Sequence, residues 1–117
     1  MVSDRILRVE QAIKKEAALI LQRELKDPRI GFVTVTRVKV TADLQRATIY
    51  FSILEGYGNP AETVAGLRSA QGYIRRLLGG RLRLRVTPEV SFEADPSVAE
   101  GIRLSKLLNG LKKESEQ

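Results

Sequence analysis

The sequence predicts one α+β domain in the order helix, strand, strand, bent helix pair, strand, helix. Its three strands form a sheet with the helices packed on one face. Three observations carry this. Ile6, Val9, Ile13, Ala17, Ile20 and Leu21 recur at three- and four-residue steps, the period of an amphipathic helix. Two β-branched runs, 32–40 and 47–54, are separated by only Thr41 to Arg46. From Arg81 to Asp95 apolar and polar residues alternate strictly, as on a strand with one face buried.

Each element has a local cause. Ser3 or Asp4 can cap the first helix by accepting from its free N–H groups. Asp4→Arg8 and Glu10→Lys14 place the acid four residues before the base, the favourable order. The helix should close near Leu25, because the residue before Pro28 is driven out of the helical region. In the first strand run, Val33 and Val35 are out of phase with Val38 and Val40, which predicts a bulge near Arg37. Asn59 and Pro60 form an ordinary helix start. Gly72 lowers helix propensity by about 1 kcal/mol and predicts a bend, with helices on either side. Gly79-Gly80 should end the second, and a strand should run from Arg81, with Leu82, Leu84, Val86, Pro88, Val90 and Phe92 inward. Pro88 marks a start, an edge or a break in that strand. Ser97 and Glu100 form a capping box for a last helix carrying Val98, Ile102, Leu104, Leu107 and Leu108. The domain is expected over residues 1–110, with 111–117 a short flexible tail.

Composition narrows the chemistry. The chain has 117 residues, no Cys and no His. That removes disulfides, thiolate nucleophiles, the commonest general base and the commonest zinc ligands. No apolar run approaches the ~20 residues that span a membrane. The first residues lack the apolar core of a signal peptide, so a reducing cytoplasm is the expected compartment. No Gly-Lys-Ser/Thr loop is present. Asp27, Asp43, Glu89, Glu93 and Asp95 are the carboxylates that could hold Mg²⁺ in a nuclease-like site, yet three of them occupy stock turn positions. No enzyme activity, metal or cofactor is expected.

Charge is the strongest functional signal. Between Thr63 and Pro88 the chain carries Arg68, Arg75, Arg76, Arg81, Arg83 and Arg85 and no Asp, Glu or Lys. The formal net charge of the whole chain is +6, so the remaining basic and acidic residues cancel. A stretch of one sign suits a partner of the other, and the planar guanidinium grips a phosphate with two hydrogen bonds. Arg75, Arg76, Arg81, Arg83 and Arg85 are the expected phosphate contacts, and Arg68, Arg46, Arg5 and Arg8 are second-rank. Stacking platforms need several aromatics on one sheet face. Here Tyr50 and Phe51 are adjacent and face opposite ways, and Tyr57 is the one exposed stacker, more simply read as a loop tyrosine. Phosphate and shape recognition by arginine is what remains.

Five segments in order resemble bacterial ribosome-binding factor A, a type II KH-like family. They are Arg5-Ile-Leu-Arg-Val9, Leu25-Lys-Asp-Pro-Arg29, the span from Val38 to Ala47, the span from Ala70 to Leu78, and the span from Pro88 to Asp95. The resemblance implies a cytoplasmic, non-enzymatic assembly factor that binds the immature 30S subunit and 16S rRNA. It implies a role in late maturation, including 16S 5′-end processing, notably in the cold. It implies no membrane or small-molecule partner. Other assembly factors are possible partners, and a monomer is expected. Many KH domains clamp nucleotides with Gly-x-x-Gly, which this chain lacks. Ala70-Gln71-Gly72 stands in its place as the family's helix-bend motif. The competing readings are a general RNA or DNA chaperone, a metal-dependent nuclease and a module for an acidic protein.

Overall fold

A computed structural model describes residues 3–30, 33–54 and 59–96. Tyr57, the Ser97/Glu100 capping box with its last helix, and the tail lie outside them. Helix α1 spans Asp4–Arg23 and strands β1 and β2 span Val33–Val40 and Arg46–Ile53. Helix α2 spans Pro60–Leu82 and strand β3 spans Glu89–Ala94. The sheet order is β1-β2-β3, with β1 antiparallel and β3 parallel to β2. The expected α+β order therefore holds through β3. Among the described residues no helix is long and apolar enough to cross a membrane.

The core lies between the helices and one sheet face. Ile13, Ala17 and Ile20 of α1 and Leu67, Ile74 and Leu78 of α2 meet Val38, Val40, Ala47, Ile49, Phe51, Val90 and Phe92. Ser3 caps α1 by accepting from Ile6 N–H at 3.2 Å. Glu10 Oε2 accepts from Val40 N–H at 2.8 Å and pins α1 to the free edge of β1. The register slips between Val35 and Arg37, which returns Val38 and Val40 to the core face. Asn59 accepts from Ala61 N–H at 2.9 Å, and Pro60 opens α2.

Two expectations need correction. The pair of short helices is one uninterrupted helix, α2, which runs through Gly72 and Gly79-Gly80. The apolar stripe Leu67, Ile74 and Leu78 spans Gly72 without a break. Burying each such side chain is worth about 1.5–3 kcal/mol, which outweighs the glycine penalty. The third strand begins at Glu89, not Arg81. Leu82 closes α2, Arg83 takes the left-handed region at φ 50°, and Pro88 cannot donate to a ladder. The alternation from Arg81 to Thr87 is coincidental, and Val86, expected in the core, is 64% exposed.

Two aspartates hold turns. The Asp27 carboxylate accepts from Arg29 Nε at 3.0 Å, from Arg29 Nη2 at 2.7 Å and from Arg29 backbone N–H at 2.9 Å. That side-chain fork, followed by the backbone bond, lowers its pKa from the ordinary carboxylate value. Asp43 accepts from the Thr41 hydroxyl at 2.6 Å and from Gln45 N–H at 3.1 Å, and its pKa is lowered chiefly by the hydroxyl. Both groups bind protons more weakly folded than unfolded. Their contribution is complete above the unfolded value of about 4 and fades as pH falls through the lower folded value. Asp27→Asn and Asp43→Asn should each lower the urea midpoint at pH 7, and the difference from wild type should shrink by pH 3. A difference that stays constant or grows would refute this account.

Candidate nucleic-acid interface

The α2–β3 connection, residues 83–88, lies against the Arg75 and Gly79 flank of α2. A Cβ on Gly79 would meet Thr87 Oγ1 at 2.5 Å, so only glycine lets the connection lie this close. Arg75 fastens it there. Its Nε donates to the Pro88 carbonyl at 3.2 Å and its Nη2 donates to the Thr87 carbonyl at 3.0 Å.

Three depressions open around this connection, and Val86 lines all of them. A cavity of about 370 Å³ is bounded by Gly72, Arg75, Arg76, Val86 and Thr87. One of about 210 Å³ adds Gln45 and Arg46 from the β1–β2 turn and β2, and Glu89 from β3. The third, about 420 Å³, is reached by Arg5 of α1 and Arg85 of the connection. Arg5, Arg46, Arg75, Arg76 and Arg85, from four parts of the chain, thus border one contiguous surface centred on an exposed valine. Two acids border this surface: Glu89, paired with Arg46 in the β2–β3 register, and Asp43, on which the Arg46 charge acts.

The other arginines are placed differently. Arg68 is exposed one turn before Gly72 on α2, outside the depressions. Arg8 is exposed on α1, and Arg83 is exposed at the α2 C-cap. Arg81 turns the other way. It donates to Glu24 Oε1 at 2.7 Å and to Glu16 Oε2 at 3.4 Å, joining α2 to α1. The Glu24 bond, with help from Glu16, raises its pKa above the ordinary guanidinium value. Arg81 is a helix-to-helix clasp and does not belong to the groove.

The helix-bend motif divides by role. Ala70 is half-buried and packs against the core, and Gln71 is half-buried beside it. Gly72 is exposed, with nothing within 4 Å of where a Cβ would stand. Packing among the described residues therefore gives no reason for glycine there. Gly72→Ala should raise stability by up to about 1 kcal/mol through helix propensity alone. Gly79→Ala meets Thr87 and should instead lower it by about 1–2 kcal/mol. Urea titration of both variants checks the opposed signs.

Val86, Thr87 and Gln45 escaped the sequence reading. The available signal was Pro88. Read as the strand start, it leaves 83–87 as a connection and exposes a valine between Arg85 and Thr87. Three of the five candidate nuclease carboxylates have partners within the fold. Asp27 and Asp43 hold turns, and Asp95 accepts from the Thr36 hydroxyl at 2.5 Å and lies 3.7 Å from Arg37 Nε. Among the described residues no three acidic, His or Cys side chains gather as a metal site.

A family model described as ribosome-binding factor A matches residues 5–108. The chain belongs to the ribosome-binding factor A family. The solution NMR structure of a Thermotoga maritima protein, a candidate ribosome-binding factor A, is 35% identical with a TM-score of 0.65, covering 80% of this chain and 89% of that one. The crystal structure of ribosome-binding factor A from Thermus thermophilus shares the fold at 24% identity and TM-score 0.68, covering 76% and 94%. A homology model of the Thermus thermophilus factor, fitted into a cryo-EM map of its complex with the 30S subunit, aligns at 24% identity and TM-score 0.64, covering 74% and 90%. The α+β, KH-like architecture is thus the family's own.

Proposed function

We propose that this chain is a ribosome-assembly factor that binds the immature 30S subunit through 16S rRNA. Arg5, Arg46, Arg75, Arg76 and Arg85 hold RNA phosphates around Val86. Arg68 and Arg8 extend the contact outward, and the open Gly72 face admits a close-lying backbone. The factor acts in the cytoplasm as a monomer, without catalysis, and promotes late maturation including 16S 5′-end processing, with the greatest need in the cold. The observation that carries this reading is the convergence of arginines from four parts of the chain on one groove. Family membership and the 30S complex of the Thermus thermophilus relative support the choice of polyanion.

The test is a sucrose-gradient profile of cell extract, with the protein traced by blot at two salt concentrations. The protein should travel with small subunits at low salt and leave them at high salt. Five phosphate contacts give an affinity loss of roughly 10²–10³-fold between about 50 and 200 mM salt. A salt-independent profile, or equal association with bulk RNA, would refute it.

A further inference from the structure

We propose that the 420 Å³ depression beside the groove is a binding pocket for a single nucleotide unit. It lies between the start of α1, the β1–β2 turn and the α2–β3 connection. Val9, Leu44, Leu84 and Pro88 give it apolar walls, while Arg5 and Arg85 supply cations. Apolar walls with a few polar groups, at a volume of this order, are the ordinary character of a small-ligand site. The apolar walls suit a flat base and the two guanidiniums suit its phosphate. Asp43 also lines the pocket. One of its oxygens is held by the Thr41 hydroxyl and Gln45 N–H, which fixes the carboxylate as an acceptor for a base amino group.

Backbone geometry supports the assignment independently. Among the described residues, Leu44 at φ 61° and Arg83 at φ 50° are the two non-glycine residues with positive φ. Leu44 is itself a wall of this pocket, and Arg83 immediately precedes Leu84, another wall. Glycine or asparagine would occupy either position with less strain. The leucine side chain packs against the core, which ties the β1–β2 turn to the domain, and its remaining surface walls the pocket; such strain collects at binding sites. The arginine at 83 makes the turn that carries Leu84 and Arg85 to the pocket.

Two sources supply such a nucleotide: an RNA strand, as one extruded residue, or the free nucleotide pool. The first rests on the proposed RNA-binding function and the second does not. The experiment titrates the full chain with adenosine monophosphate, and separately with a single-stranded RNA carrying one 2-aminopurine, observing backbone amides by NMR. Wild type should show saturable shifts at residues 42–45 and 84–87. Ala42→Trp, at an exposed turn position lining the pocket, should remove them. Arg5→Gln combined with Arg85→Gln should weaken binding by about tenfold or more. Loss of both ligands in Ala42→Trp assigns the pocket to an RNA nucleotide, and loss of the monophosphate alone assigns it to free nucleotide. Shifts confined to Arg75 and Arg76, or equal binding of both ligands by folded Ala42→Trp, overturn the proposal. Small-subunit association of Arg76→Glu, whose residue lies outside this pocket, reports separately on the groove.

Discussion

Simultaneous Arg46→Glu, Arg76→Glu and Arg85→Glu should abolish co-sedimentation with small subunits while leaving the unfolding curve close to wild type. The three residues come from β2, α2 and the α2–β3 connection, and among the described residues none takes part in a salt bridge. Their loss therefore removes few internal contacts. Each charge-assisted bond to a phosphate is worth about 1.5–3 kcal/mol, so three together correspond to an affinity loss on the order of 10³-fold or more. The salt slope should fall by about two to three. Arg75 is left out because it also holds the Thr87 and Pro88 carbonyls, so its replacement would mix lost binding with a displaced connection. Arg81→Gln is the control. It breaks the clasp to Glu16 and Glu24, which should lower the urea midpoint slightly and leave small-subunit affinity unchanged. Retained co-sedimentation of the triple variant, or loss in the control, would refute the groove.

How much was legible in the sequence follows from the range of each interaction. The stripe of α1, the Ser3 and Asn59 caps, the hairpin and the bulge beside Arg37 are local patterns, and all appear where expected. The end of α2 is not a local matter. Two glycines and an alternating Arg/Leu run argue for a break and a strand, and the chain overrides both because Leu67, Ile74 and Leu78 must reach one core. The same override rearranged the site. Counting charges found the arginines, but partners distant in sequence decided their duties. Glu16 and Glu24 lie 65 and 57 residues from Arg81 and take it away from the groove. Arg46 and Arg5 come to the groove because the β1–β2 turn and the start of α1 meet the α2–β3 connection. Val86 was hidden by its own type, since an apolar residue in an alternating run reads as core.

Phe51→Ala should cost about 3–5 kcal/mol of stability, more than any of the single substitutions above. Phe51 is 1% exposed at the middle of the sheet, and its ring meets Phe92 of β3 edge-on, with centroids 6.4 Å apart and planes at 64°. Truncation leaves a cavity under both helices and also removes the aromatic pair, worth about 0.5–1.5 kcal/mol within that total. Against a total stability of about 5–15 kcal/mol, the midpoint should fall by roughly 10–25 °C. The urea slope should stay unchanged, because the surface exposed on unfolding barely differs. Phe92→Ala should cost a similar amount, and the double variant should cost less than the sum, since the two rings share one contact. The groove depends on this pair only through β3, whose first residue follows the Thr87-Pro88 segment that Arg75 holds. Below its lowered midpoint, Phe51→Ala should therefore bind small subunits within a few-fold of wild type. A stability loss below about 1 kcal/mol would mean that the ring is not the keystone of the β2–β3 pairing. Binding lost while the domain remains folded would mean that the arginine surface is tuned by the core beneath it and does not stand on side-chain charge alone.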